Sequence, residues 1–370
     1  MDTVSVAFCF NDAYCTIAAG AISSLINNSS SEYKYNIYIV HNDITEKNQY
    51  LINSLCNKDN VVIKFIEFDL SGEIVGSLHT RKRFSVHVYF RLFLHKILPS
   101  LDKILFLDGD IIITSDIANL YNTDISNYSV AAVPEYTVAR VSEERLKAYK
   151  IPKDSPEDIK CYDNLDNYFR NYLNFSKEEL FNYFNAGVLL INLNKAGEKL
   201  DKAPKMLEKN YFGQDQDVLN IIFKEDTLLL DQRYNTFCAH IPQFVQEHGR
   251  LPDIIHYYTA TKPDKTMTRP GDSIYWETIA KTEFYYPLLE RFIKEKIDQK
   301  PDKINDPKTI ENLFYDLKRF GKIHRRRKII RLLVRVLVNG RKYGKLKRDP
   351  GRFFADSKSA FIRFLGRYYN

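Results

Sequence analysis

The sequence lacks several things that would place it quickly. Its five cysteines, Cys9, Cys15, Cys56, Cys161 and Cys238, are odd in number and form no Cys-x-x-Cys pair. Neither a disulfide framework nor a zinc site is suggested, and a reducing compartment is expected. No basic residue precedes Lys34. A secretory signal needs a cationic start, so none is expected. No run of about 18 or more strongly apolar residues occurs, so no membrane span is expected. Internal repeats and low-complexity tracts are also missing.

What is present is a chain of 370 residues, 44% hydrophobic and 27% charged. Those values suit a large α/β domain with an appendage, or two domains. Tyr and Phe number 25 and 24. Such richness fits a packed core first and a carbohydrate-contact surface second. The net charge of +7 is unevenly spread. Residues 317–370 hold 18 Lys and Arg against 2 Asp and Glu, whereas the remainder holds 36 against 45. An acidic globule with a strongly basic tail should meet something anionic through that tail.

Apolar runs at Val4–Phe10, Tyr35–His41, Val61–Phe68, Lys103–Leu107, Phe184–Leu193 and Ile254–Tyr258 read as strands. Helices are expected after Asn11 or Asp12 as cap, over Thr45–Cys56 and Ser85–Leu98, near Lys195–Lys209, and over Asp215–Phe223. Polar residues dominate 140–182, which reads as an insertion of helices and loops. Strands alternating with helices predict a Rossmann-like α/β fold with a mostly parallel central sheet. Ligands of such sheets bind beyond the carboxyl ends of the strands.

The segment Ile104-Leu105-Phe106-Leu107-Asp108-Gly109-Asp110-Ile111-Ile112-Ile113 sets two carboxylates inside an apolar run. Buried carboxylates without partners are costly. A divalent cation such as Mn²⁺ or Mg²⁺ would satisfy both and leave positions for diphosphate oxygens. Gly109 would allow a turn and a close approach. The alternative is a tight turn with two exposed aspartates. His256 ends an apolar strand and could add a nitrogen ligand. Lys262 could reach a diphosphate. Read alone, that segment is a core histidine followed by a solvated lysine.

Taken in order, these segments resemble glycosyltransferase family 8, particularly its bacterial galactosyl- and glucosyltransferases of lipopolysaccharide and surface glycans. The resemblance spans roughly residues 4–285. It is carried by Phe10-Asn11-Asp12-Ala13-Tyr14, Tyr89-Phe90-Arg91-Leu92, Phe106-Leu107-Asp108-Gly109-Asp110, Phe184-Asn185-Ala186-Gly187-Val188, Gln214-Asp215-Gln216-Asp217 and His256 through Lys262-Pro263. It implies a GT-A nucleotide-sugar fold over 1–285, a UDP-sugar donor (UDP-glucose or UDP-galactose), Mn²⁺ or Mg²⁺, and retention of anomeric configuration. By the family pattern Asp108, Asp110 and His256 ligate the metal. Asn11, Asp12 and Tyr14 lie at the uridine, Lys262 at the diphosphate, and Arg91 near the donor sugar and phosphates. Asn185, Asp215 and Gln216 line the donor sugar. Asp215 and Gln216 are also the near-site catalytic candidates, with no nucleophile assigned. Three positions depart from the pattern: Ala13, Thr259 and Asp264 stand where asparagine, glycine and tryptophan are common. Without the resemblance, Arg91 could be a helix-surface residue, Tyr14 a core aromatic, Asn185 a turn residue and Asp215 an N-cap.

Residues 286–370 form a helical basic extension by composition. Lys328, Arg331 and Arg335 share one helical face opposite Ile329, Ile330, Leu333 and Leu337, with Asn339-Gly340 as a stop. That pattern suits an anionic membrane surface. Packing on the domain and nucleic-acid binding are the alternatives, the latter the weakest. The expected enzyme is therefore a metal-dependent hexosyltransferase, cytoplasmic and peripheral on the inner face of a bacterial membrane, with a glycan or glycolipid acceptor. A nucleotidyltransferase also uses paired aspartates, but the Gly-rich, Lys- or Arg-bearing loop it needs is missing after Val4–Phe10. A non-catalytic membrane- or nucleic-acid-binding protein acting through the tail is the other alternative.

Overall fold

A computed structural model describes residues 1–73, 85–258, 262–267 and 269–298. Contacts divide the chain into units Met1–Phe284 and Tyr285–Asn370. Of the second unit, the described part is the helix Tyr285–Asp298. The basic stretch 317–370, its expected stop at Asn339-Gly340, and Thr259 lie outside the described residues. No helix among the described residues is long and apolar enough to cross a membrane.

In the first unit the strands are β1 (Thr3–Cys9), β2 (Lys34–His41), β3 (Val61–Glu67), β4 (Lys103–Leu107), β5 (Ile111–Ile113), β6 (Val130–Pro134), β7 (Phe184–Asn192), β8 (Thr227–Leu229), β9 (Thr236–Phe237) and β10 (Ile254–His256). A seven-stranded sheet runs β3-β2-β1-β4-β7-β6-β8, and a three-stranded sheet runs β5-β10-β9. In the large sheet only β7 opposes its neighbours; the other described pairings are parallel. Val4, Val6, Ala7 and Phe8 of β1 are fully buried, as both faces of a central parallel strand require.

The order of strands locates the site. From β1 the chain adds β2 and β3 on one side, then returns to place β4 on the other side of β1. The carboxyl ends of β1 and β4 therefore flank the reversal, where an open α/β sheet leaves a crevice. Asn11 follows β1 there, and Asp108 follows β4. Because β7 runs antiparallel to β4, its beginning reaches the same edge: Leu107 pairs with Val188, and Asp108 N donates to Gly187 O at 2.8 Å.

The helix Cys15–Asn28 packs on β5 and on the helix Asp272–Ile279. Small residues permit this: a Cβ added to Gly20 would lie 2.7 Å from the Tyr275 ring. Ser24 Oγ accepts from Ile113 N at 2.9 Å, so the helix also anchors the edge of β5.

Two expected helices come out differently. Ser85–Leu98 forms successive 3₁₀ turns over Val86–Phe93 and then one α turn, Leu94–Ile97. Val86, His87, Val88, Tyr89, Phe90 and Phe93 all lose rotamer freedom in an α-helix, so the segment gains little from that form. The expected Lys195–Lys209 helix is two, Leu193–Leu200 and Ala203–Met206. Pro204 has no N–H to continue the first helix but suits the first turn of a second. Residues 140–182 hold short helices, among them Glu143–Ala148, Glu157–Lys160 and Lys177–Leu180, joined by loops.

Candidate active site

Three ligand-type side chains converge where the two sheets meet. β10 pairs antiparallel with β5, His256 opposite Ile111, and Tyr257 N donates to Asp110 O at 2.9 Å. His256 Nε2 then lies 3.7 Å from Asp108 Oδ2 and 3.7 Å from Asp110 Oδ1. Ligand atoms of all three residues fall within 4.8 Å of one another. His256 and Asp110 are buried, while Asp108 stands on the open rim. Two carboxylates and one imidazole nitrogen suit Mn²⁺ or Mg²⁺, with coordination positions left for phosphate oxygens. Lys262 Nζ reaches Asp110 Oδ2 at 2.5 Å. Burial opposes charge on Asp110, but the ammonium of Lys262 beside it outweighs the burial and holds the carboxyl well below the usual range.

Arg91 is no helix-surface residue; it is buried beneath the cluster. Its Nη2 donates to Asp108 Oδ1 at 2.8 Å, its Nη1 to Ala186 O at 2.6 Å, and its Nε lies 3.1 Å from Asp215 Oδ2. The guanidinium carbon sits 4.2 Å from the Phe106 ring centroid. One cation thus orients two carboxylates and pins the start of β7.

Asp215 opens the helix Asp215–Ile222, after Gln214 at φ 54°. Its place in the first turn, not at the N-cap, turns the carboxylate toward Arg91. Burial raises its pKa to about 7, against the pull of Arg91 and with further upward push from Asp108. An acid whose folded-state pKa is raised stabilises the fold at low pH. That stability is lost as pH climbs from the unfolded value near 4 through 7. Full loss would be on the order of 4 kcal/mol. Urea unfolding between pH 4 and 8 should therefore show a decline that Asp215→Asn flattens. An unchanged slope in that variant would remove Asp215 as the cause.

The loop after β1 is tied down on both sides. Asn11 Oδ1 accepts from Tyr14 N at 3.0 Å and caps the 3₁₀ turn Asp12–Tyr14. Asp12 Oδ1 accepts from Thr45 N, Thr45 Oγ1 and Asn48 Nδ2 at 2.9, 2.8 and 2.8 Å. Tyr14 is carried to the Asp108-Gly109-Asp110 turn: a Cβ at Gly109 would lie 3.0 Å from Tyr14 Cε1. The glycine there makes room for the ring.

Behind the cluster runs a buried amide network. Asn185 Nδ2 donates to Glu135 Oε2 at 2.6 Å and to Gln216 Oε1 at 3.2 Å. Ala186 N donates to Gln216 Oε1 at 3.1 Å. Asn235 Nδ2 donates to Asn185 Oδ1 at 2.8 Å, and Asn235 Oδ1 meets His256 Nδ1 at 2.9 Å. Nearby, Asp217 accepts from Tyr168 and Tyr183 hydroxyls at 2.8 and 2.5 Å and from Gly213 N at 2.5 Å, which holds the turn before Asp215.

The structure thus brings Asp108, Asp110, His256, Lys262, Arg91, Asp215, Asn185, Gln216 and Tyr14 to one edge, with Asn11 and Asp12 bracing the adjoining loop. Sequence reasoning missed Glu135, Asn235 and the role of Gly187. Glu135 carried a readable signal, a carboxylate closing the apolar run Val130–Pro134. Asn235 carried none.

The chain is similar to known proteins in sequence and in fold. The family model described as glycosyl transferase family 8 matches residues 5–267. The glycosyltransferase GlyF of Streptococcus pneumoniae is 26% identical over 275 residues, covering 71% of this chain and 58% of its own length. A lipopolysaccharide 1,2-glucosyltransferase of Escherichia coli K12 is 27% identical over 247 residues, covering 63% and 60%. The chain therefore spans about three-fifths of the length of these curated relatives. Among solved structures, the WbbM bifunctional glycosyltransferase superposes with a TM-score of 0.66 at 23% identity, over 78% of this chain and 52% of that one. The galactosyltransferase LgtC, solved with donor and acceptor sugar analogues, superposes at 0.57 and 20%, over 76% and 96%. These likenesses establish the GT-A fold. With the family model covering well over half of its residues, the chain belongs to glycosyl transferase family 8.

Proposed function

We propose that this enzyme moves a hexose, glucose or galactose, from a UDP-sugar to a saccharide or lipid-linked glycan, with retention and with Mn²⁺ or Mg²⁺ held by Asp108, Asp110 and His256. The observation that carries this reading is the meeting of those three side chains and Lys262 at the sheet's reversal point. The names of the relatives, a lipopolysaccharide glucosyltransferase and a galactosyltransferase, support a hexose donor and a surface-glycan acceptor.

In this reading the Tyr14 ring stacks on uracil, beside Asn11 and Asp12. A divalent cation held by Asp108, Asp110 and His256 would supply positive charge at the diphosphate leaving group. Lys262 exchanges its contact with Asp110 for the diphosphate and adds a second positive charge there. Asn185, Asp215 and Gln216 present acceptors and donors to sugar hydroxyls. Arg91 keeps Asp108 aimed. Asp215 stays in its ion pair and acts on the donor sugar, with no nucleophilic role assigned. Residues 1–285 are the catalytic domain, and 286–370 are the basic extension that brings it to an anionic surface on the cytoplasmic face of the membrane.

UDP release from a panel of UDP-sugars with Mn²⁺, with and without EDTA, tests the proposal. One donor should be hydrolysed in a metal-dependent way. Asp110→Ala should lower that rate by about 100-fold or more, the scale for losing one electrostatic group at a leaving group. Failure of folded protein to bind UDP and Mn²⁺ together in calorimetry would reject the assignment.

A further inference from the structure

The buried amides behind His256 have a direction, and that direction selects which ring nitrogen faces the carboxylates. Backbone amides are fixed donors. Gly187 N donates to Asn185 Oδ1 at 2.9 Å, and Ala186 N donates to Gln216 Oε1 at 3.1 Å. Both oxygens are therefore acceptors. Asn185 must then point its Nδ2 at Glu135 Oε2, 2.6 Å away, and at Gln216 Oε1. A carboxylate accepts only, so Glu135 enforces the same orientation.

Asn235 comes next. Its partner across 2.8 Å is Asn185 Oδ1, an acceptor already identified, so Asn235 presents Nδ2 there. Its remaining oxygen faces His256 Nδ1 at 2.9 Å. An amide oxygen requires a donor, so Nδ1 carries the hydrogen. All three of Asn185, Asn235 and His256 are buried, so water cannot readily replace a mismatched partner. In the neutral ring the lone pair is left on Nε2, the atom 3.7 Å from both Asp108 and Asp110, beyond hydrogen-bond length to either.

We propose that Asn235 is a positioning residue for cation binding: held by Asn185, Glu135 and the Gly187 amide, it locks His256 as the Nδ1–H tautomer and presents Nε2 as a ready ligand. The inference rests on the metal reading above but concerns a property of the metal-free protein. The relay begins at backbone amides of β7, so the antiparallel strand between β4 and β6 also sets the ligand's proton. A ligating histidine usually has such a partner, and its loss typically costs 10–100-fold in metal affinity. Among the described residues no carboxylate contacts Nδ1; an asparagine whose orientation is set through Asn185 by the Glu135 carboxylate takes that place.

The test is long-range ¹H–¹⁵N NMR on metal-free, full-length protein labelled at histidine, at pH 9, where an imidazole is neutral. The His256 signal is assigned by its disappearance in His256→Gln. Wild type should show a protonated Nδ1 and a bare Nε2. Asn235→Leu should populate the Nε2–H form and weaken Mn²⁺ binding, followed by the electron paramagnetic resonance of free Mn²⁺, by about 10–100-fold. Asn235→Asp keeps an acceptor at Nδ1 and should retain the tautomer; it loses the donor to Asn185 Oδ1, so its stability should fall. Asn235→Ser, too short to reach the ring, serves if the leucine variant does not fold, and should behave like it. An Nε2–H wild type, or a leucine or serine variant with unchanged tautomer, would overturn the relay. An Nδ1–H wild type without Mn²⁺ uptake would support the relay and overturn the metal reading instead.

Discussion

Gly187→Ala should lower metal-dependent donor turnover by about 100-fold while leaving the sheet assembled. A Cβ at this position would lie 2.4 Å from His256 Cε1, 2.8 Å from Asp108 Oδ2 and 3.0 Å from Asn185 Oδ1. None of the three can step aside cheaply. The His256 ring is held by Asn235, Asp108 by Arg91, and Asn185 by Glu135 and Gln216. The backbone of β7 is itself bonded to β4 through Asp108 N. One methyl group therefore displaces two proposed ligands at once. A displacement of about 1 Å in such a cluster costs on the order of 100-fold in rate. Overpacking should cost about 1–3 kcal/mol of stability, less than unfolds the domain. Mn²⁺ titration beside thermal unfolding checks both parts. Wild-type Mn²⁺ affinity in a folded Gly187→Ala protein would show that the strand yields at 187 and that His256 and Asp108 are not set by it.

The second large effect is expected on stability. Arg91→Met should destabilise the protein by about 3–5 kcal/mol, the cost of leaving buried charge without its partner. Two carboxylates lose their shared cation, and the Ala186 carbonyl loses its donor. Methionine fills the space against Phe106, so the loss is electrostatic and not a cavity. The cost should rise with pH. At pH 5 Asp215 is protonated and asks little of Arg91; at pH 8 it is ionised beside Arg91, whereas in the variant, without that pull, it must take up a proton or stand buried and unpaired. Adding Asp215→Asn to Arg91→Met should recover part of the loss at pH 8. Arg91→Lys should rescue poorly, because one ammonium cannot serve Asp108, Asp215 and a carbonyl in three directions. Urea unfolding at both pH values reads all four proteins. A cost below about 1 kcal/mol, the level of an exposed pair, would mean that the two carboxylates are adequately solvated without Arg91.

Legibility of this site in the sequence followed the reach of local patterns. Asp108-Gly109-Asp110 was readable because two carboxylates break a run that burial should keep apolar. His256 was readable as a candidate for the same reason, a polar ring closing Ile254-Ile255. Arg91 was ambiguous: in Tyr89-Phe90-Arg91-Leu92 a helix would carry it outward to solvent. The chain instead takes 3₁₀ turns there, and Arg91 is buried against Asp108 and Asp215. Asn235 and Gly187 had no local mark. An asparagine before a two-residue strand and a glycine inside an apolar strand are common, and their meaning lies in what stands opposite.

By itself the sequence determined the alternation of strands and helices, the mostly parallel sheet, the paired aspartates at a strand end and, through ordered segments, the family. These follow from hydrophobic period and turn chemistry, which act over a few residues. Only the tertiary structure decided that β4 returns beside β1, that β10 brings residue 256 to residues 108 and 110, and that β7 passes beneath them with a glycine. Those are contacts across 79 to 148 residues of chain. They are set by strand register and by which buried polar groups find partners, and neither is written in any single stretch of residues.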